Sequence, residues 1–306
     1  MKFLEKTNIN FMKFKSFGFG LSSVLAAGSI IMLLIGVNLG IDFKGGTAIG
    51  INFSDDVSIQ EVRNALKSVS IDERTLDLSS EEIKYFGSQS DVMIKIKSLD
   101  NEPENFGQLV INHLYKSMSG KVPTNKNDFI LSLGSVSPKV GSELSGKALW
   151  SVISALVLIL FYISVRFEFR FALGAILALV HDVIITLGVF SLTGFEITLS
   201  TVAAFLTIVG YSLNDTIVIL DRIRENMKSS GTVMFESTIN KSINQSLSRT
   251  LITSLTTLFV IIVLLVYGGE VIRPFSFTML VGVIVGTYSS ISVSYTHLTL
   301  PTKEEV

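Results

Sequence analysis

TLSTVAAFLTIVGYSLNDTIVIL, residues 198–220, is apolar apart from small polar residues and one carboxylate, Asp215. About 20 such residues cross ~30 Å of hydrocarbon as a helix, so the stretch reads as a membrane span. A charged side chain at bilayer depth costs roughly 2.5–3.5 kcal/mol on insertion scales. A chain sustains that cost when the carboxylate is paired, faces a wet cavity or moves a proton.

Five other stretches have the same character: 17–39, 148–165, 171–192, 249–267 and 273–291. The chain is 48% hydrophobic and 17% charged, against about 25% charged in soluble domains. These features predict a polytopic α-helical membrane protein with six transmembrane helices. Lys2, Lys6, Lys13 and Lys15 precede the first span, as in a secretory leader. Its apolar run exceeds the roughly 7–15 residues of a leader's core, and Ala26-Ala27-Gly28 falls in its middle. It therefore reads as an uncleaved anchor. The absence of cysteine excludes disulfides and thiolate metal sites, three scattered histidines disfavour zinc, and a net charge of −1 gives no field for nucleic acid.

Charge sets the orientation. The N-terminal lysines, Arg166, Arg170, Arg222, Arg224, Lys228, Lys241 and Arg249 fall on one side, whereas the opposite turns hold Glu196, Glu270 and Arg273. Residues 1–16 and the loop 221–248 are expected in the cytoplasm, with both termini, and residues 40–147 outside.

The outer segment reads as a folded domain. Residues 47–53 alternate as a strand. Ser58-Ile59-Gln60-Glu61 forms a capping box, followed by a helical face of Ile59, Val62, Leu66 and Val69. Residues 74–78 and 91–97 read as strands, Phe106, Leu109, Val110, Leu114 and Met118 as a second helical face, and 129–136 as a last strand. The order βαββαβ predicts an α+β ferredoxin-like domain between the first and second membrane helices. The loop 221–248 reads as an amphipathic helix with Val233, Phe235, Ile239 and Ile243 as apolar points, or equally as a solvated connector.

Residues 141–148, GSELSGKA, nearly spell a phosphate-binding loop, but Ala148 stands where a magnesium-ligating hydroxyl is needed. Nucleotide binding is rejected, and energy coupling would have to draw on an ion gradient. The intramembrane polar residues are His181-Asp182, Asn214-Asp215, and Arg249 with the hydroxyls that follow it. Arg249, Thr253, Thr256 and Thr257 share one helical face, and Ser212, Asp215 and Thr216 another; both faces are expected to look into the bundle. A structural Asp–Arg pair and a proton relay both fit this pattern. His181 alone fits packing with a hydrogen bond, and Arg249 alone fits a positive-inside anchor. Gly282-x-x-x-Gly286 permits close helix contact. Gly45-Gly46 would turn the chain from the first span into the first strand.

Five segments, in order, carry a resemblance: GIDFKGGT (40–47), VRFEFRFALGAILALVHD (165–182), VGYSLNDTIVILDRIREN (209–226), QSLSRTLITSLTT (245–257) and GTYSSI (286–291). Together they resemble the SecD/SecF family of protein-export membrane subunits, of the RND superfamily. The resemblance implies an accessory subunit of the Sec protein translocase in the bacterial cytoplasmic (inner) membrane. Such a subunit works with SecD, the SecYEG channel and a YajC-like subunit. It uses the proton-motive force to promote late stages of export of unfolded polypeptide. The family's proton-linked carboxylate falls on Asp215 and its partner arginine on Arg249, with Asn214, Asp182 and His181 as further relay candidates. Asp42, Gly45, Gly46, Gly282 and Gly286 fall at motif or structural positions. A further acidic residue belongs to SecD. The coupling ion is the proton; no cofactor, metal or enzymatic activity is expected. Two alternatives stand beside this: a stand-alone RND-like proton-coupled small-solute exporter, and a structural membrane scaffold. Six spans with one small outer domain are half of a self-contained two-fold pump, which counts against the exporter. After Ile291 the chain turns polar, SVSYTHLTLPTKEEV, and residues 292–306 read as a non-native tail in which His297 has no role.

Overall fold

The computed structural model describes residues 7–71, 74–99, 102–166, 169–230 and 235–293. The polar tail from residue 294 and Val233 lie outside the described residues. Two compact units form, Leu39–Leu149 and the remainder, Met1–Asn38 with Trp150–Val306. In chain order the elements are α1 (Lys15–Ile35), β1 (Asn38–Leu39), α2 (Ile41–Lys44), β2 (Gly46–Asn52), α3 (Ile59–Ala65), β3 (Val69–Ile71), β4 (Arg74–Leu76), β5 (Glu82–Phe86), β6 (Ser88–Lys97), α4 (Phe106–Ser117), α5 (Lys126–Phe129) and β7 (Ile130–Val136). Five long helices and a short strand follow: α6 (Pro138–Arg166), α7 (Phe169–Thr193), β8 (Glu196–Ile197), α8 (Leu199–Ser230), α9 (Phe235–Tyr267) and α10 (Gly269–Ser292).

Among the described residues six helices are long and apolar enough to cross a membrane, and the protein is a multi-pass helical membrane protein. Several run past the apolar stretches that mark them. α6 starts at Pro138, where the missing N–H costs nothing because the first turn has no intrahelical acceptor for it. Residues 141–148 are consequently regular helix and present no phosphate loop. α8 runs to Ser230 and α9 begins at Phe235, so the described parts of 221–248 are the ends of two long helices, and the expected apolar points Ile239 and Ile243 are fully buried there. The cause is burial: Leu220, Ile223, Ile239 and Ile243 share one core with Val209 and Leu213. Polar bonds close the same hairpin, with Asn226 Nδ2 donating to Ser242 Oγ and Gln245 Oε1, both at 2.9 Å. The segment before α1 is strapped to α9, where the Asn244 side chain meets both the N–H and the C=O of Ile9 at 2.9 and 2.8 Å.

In the smaller unit four antiparallel strands lie in the order β5-β6-β2-β7. The register places Ile49 opposite Ile94 and Ile51 opposite Val92, and all four are fully buried. α3 and α4 add Val62, Leu66, Val110 and Leu114 to that core. The sequence signal at 74–78 does not mark a strand of this sheet: β4 pairs with β3 as a separate two-stranded ribbon. The neighbour of β6 is β5, reached through a tight turn at Gly87, whose φ of 103° suits glycine. The short charged run EIKYF hides this strand, because only Ile83 of it is buried.

Gly45 and Gly46 do turn the chain into β2, and the geometry demands glycine twice. Their φ values are 79° and 141°; a Cβ at Gly45 would stand 2.8 Å from Pro138, and one at Gly46 2.5 Å from the Ile96 carbonyl oxygen. Asp42 stands just before them, in the first turn of α2.

Candidate functional site

α8 buries one stripe along its length: Thr201, Ala204, Phe205, Ile208, Ser212, Asp215, Thr216, Ile219 and Ile223. The three-to-four spacing is that of a helix face, so Asp215 occupies an inward position that an apolar residue would otherwise fill. Its exposure is 3%. Oδ2 receives the Ser254 hydroxyl of α9 at 3.5 Å, and Asn214 Nδ2 approaches Oδ1 at 3.5 Å. Ser254 is itself held by Thr287 of α10, whose hydroxyl donates to it at 2.7 Å. The contacts to Asp215 are loose by hydrogen-bond standards, so three helices surround the carboxylate without locking it.

Arg249 does not form an ion pair with Asp215 within 4 Å, and its side chain is exposed; its charge acts on Asp215 from a distance. The expected inward row Arg249, Thr253, Thr256, Thr257 is not the buried face of α9, since Arg249 and Thr256 are exposed. The buried row is Ser242, Ser246, Thr250 and Ser254. The hydroxyls of Thr256 and Thr257 bond carbonyls of their own helix, at Ile252 and Thr253, whereas Thr253, half-buried and bonded to the Arg249 and Thr250 carbonyls, also stands close enough to act on Asp215. Asn214 is likewise exposed.

A second carboxylate lies on α7. Asp182 is fully buried, with Oδ1 2.9 Å from His181 Nδ1 and Oδ2 accepting from Ser212 Oγ at 2.5 Å. α10 packs closely over α8 at its two glycines. A Cβ at Gly282 would stand 2.2 Å from Ile208 Cδ1, and one at Gly286 3.1 Å from Ser212 Cβ. The candidates therefore split. Asp215 and Asn214 share one cluster, Asp182 and His181 another, Gly286 lies beside Ser212 and Asp182, Gly282 lies beside Ile208, and Arg249 faces outward. Ser254 and Thr287 were missed as contacts of the site. The signal for Ser254 lies in the four-residue spacing of Ser242, Ser246, Thr250 and Ser254, and spacing gives none for Thr287 of α10.

Six helices among the described residues, long and apolar enough to cross a membrane, with Asp182 and Asp215 buried on two of them, define a polytopic helical membrane protein. Among the described residues no cluster of three or more His, Cys, Asp or Glu could hold a metal. Comparison with known proteins gives the family. The model for "Protein export membrane protein SecD/SecF, C-terminal" matches residues 117–303, and that for the "SecD/SecF GG Motif" matches 30–57. The chain belongs to the SecD/SecF family of protein-export membrane proteins. Protein translocase subunit SecF of Calditerrivibrio nitroreducens is 43% identical, over 94% of this chain and 92% of that one. The SecF of Rhodobacter capsulatus is 41% identical, over 95% and 88%. Among solved structures, SecDF from Thermus thermophilus, described as a translocon-associated membrane protein, superposes with a TM-score of 0.81 at 36% identity. That match covers 97% of this chain but 39% of the solved chain. SecDF in a super-membrane-facing form gives 0.68 at 35% identity, covering 96% and 38%.

Proposed function

We propose that this chain is an accessory subunit of the Sec protein translocase that couples the proton-motive force to late stages of polypeptide export. The observation that carries the reading is Asp215: a carboxylate on the buried stripe of a membrane helix, loosely held by a hydroxyl that a third helix fixes. A buried carboxylate prefers its neutral form, and an approaching cation restores the charged one. Arg249 faces outward on the adjoining helix, where a small motion would change its distance to Asp215. One charge crossing 100 mV releases roughly 2.3 kcal/mol, enough to bias such a motion. The proton is then the coupling ion, with no cofactor, and the chain acts in transport and not as an enzyme.

The partner reading is a SecD subunit, with the SecYEG channel and a YajC-like subunit alongside. It is supported by the solved SecDF chains, of which this chain spans 39% and 38%. The remaining length is where a second RND-like half would lie, which weighs against a stand-alone exporter. In this reading both termini are cytoplasmic by the positive-inside rule, and the smaller unit is extracytoplasmic. Its sheet order β5-β6-β2-β7, with α3 and α4 in its core, supports the ferredoxin-like assignment, and the unit would handle unfolded polypeptide as it emerges. Affinity purification of the tagged chain from its native membrane tests the partnership. Recovery of a SecD homologue and SecYEG is expected; recovery of the chain alone, together with solute efflux by it, would favour the exporter.

A further inference from the structure

We infer that Asp182 is a positioning residue for Asp215, acting through the Ser212 hydroxyl and the α10 backbone at Gly286; this rests on the proton-linked reading of Asp215. Asp182 is fully buried and no Lys or Arg lies within 4 Å of its carboxylate among the described residues. Its two oxygens meet His181 Nδ1 and the Ser212 hydroxyl. At 2.5 Å the Ser212 bond has the length of a charge-assisted O–H···O contact, the stronger kind. It ties the middle of α7 to α8 three residues before Asp215, on the same face of that helix.

α10 closes over this bond. A Cβ at Gly286 would stand 3.1 Å from Ser212 Cβ and 3.6 Å from Asp182 Oδ2, so bare backbone is what lets the helix approach. The next residue, Thr287, donates to Ser254, and Ser254 donates to Asp215. On α10, Gly286 thus lies beside Ser212, and the next residue, Thr287, bonds the hydroxyl partner of Asp215. Releasing Ser212 frees α8 and α10 at one point, and the slack is felt at the Ser254–Asp215 contact.

The helices packed against α7 are α1, α8 and α10. Their titratable residues in the middle of the bundle are Tyr211 and Asp215 on α8 and Tyr288 on α10; on α7 itself there is His181. Lys15 of α1, the charges from Asp221 to Lys228 on α8, and Glu270 and Arg273 of α10 stand at helix ends. Asp215 is also packed against α9, whose Arg249 acts on it from a distance and is left in place by the Ser212 change.

The test uses the full chain in its native complex and dicyclohexylcarbodiimide, which labels protonated carboxyl groups in apolar surroundings, read at Asp215 by mass spectrometry. Ser212→Ala removes the link and keeps both carboxylates and His181. Loosening the Ser254 hydroxyl that stabilises ionised Asp215 favours its protonated form, so labelling of Asp215 at fixed pH should rise by about twofold or more. Gly286→Ala, which pushes on the same pair without removing a donor, should alter the labelling too and carries the test if Ser212→Ala does not assemble. Labelling equal to the parent in both variants overturns the inference. If Asp215→Asn leaves proton-driven export unchanged, the relay reading itself fails. If Asp215→Asn abolishes export while the Ser212 and Gly286 variants label like the parent, only the positioning role fails.

Discussion

Ser254 reaches Asp215 at 3.5 Å, while Arg249, five residues earlier on the same helix, is turned outward and makes no ion pair with that carboxylate. The inward side of α9 thus offers Asp215 a neutral hydroxyl, and the cation stands exposed. A carboxylate held this way changes charge state more readily than one clamped by a guanidinium.

Ser254→Ala should weaken proton-driven export without preventing assembly. Hydrogen bonds to charged groups contribute about 1.5–3 kcal/mol, and a loose one less, so a loss of roughly threefold to tenfold is expected. Thr287→Val, which leaves Ser254 unsupported, should fall in the same direction and by less. Initial translocation rates with equal amounts of protein in the membrane measure both.

Gly282→Ala should destabilise the bundle through Ile208, because the added Cβ would lie 2.2 Å from Ile208 Cδ1. Overpacking of this kind costs about 1–3 kcal/mol. Shortening the neighbour in the double variant Gly282→Ala, Ile208→Val should recover part of the loss, whereas additive losses would mean that the two residues do not meet. Thermal unfolding in detergent of the four members of the cycle gives the coupling.

Gly45→Ala and Gly46→Ala should be severe. Each places a side chain at positive φ, costing about 1–3 kcal/mol, and drives a Cβ into backbone at Pro138 or Ile96. Reduced protein in the membrane, with protease sensitivity of the smaller unit, is the expected result.

The capping box of α3 makes the smaller unit acid-sensitive at one place. Ser58 N–H and the Lys121 ammonium, at 2.9 Å each, hold Glu61 below the usual glutamate range. A carboxylate lowered in the folded state stabilises it above the unfolded value, and that contribution is lost as pH falls through the folded value. Amide protection in α3 should therefore decline in mild acid. Ser58→Ala should cost about 1 kcal/mol at neutral pH. Hydrogen exchange on the intact protein follows both effects.

The membrane spans were legible because long apolar runs leave few alternatives, and the capping box was legible because its chemistry is local. Asp215 announced itself as a carboxylate in an apolar stretch. The extension of α8 to Ser230 was hidden because the burial of Ile223 comes from packing between helices and not from a continuous apolar run, whereas Ile239 and Ile243 were legible as apolar points. β5 was hidden because EIKYF keeps only Ile83 inside. Spacing alone does not turn Arg249 and Thr256 outward, because a hydroxyl that bonds its own helix, as that of Thr256 does, looks in sequence like one that lines a core. Which of two polar rows is buried depends on where α8 and α10 sit, and spacing within one helix does not carry that.

The central claim is that Asp215 carries the proton that drives export. Preprotein translocation in membrane vesicles, measured with and without a protonophore, tests it most directly. With the parent protein, export should slow when the gradient collapses. With Asp215→Asn, present at the same level, export should run at the slow rate in both conditions. Gradient-dependent export at the parent rate in Asp215→Asn would contradict the claim.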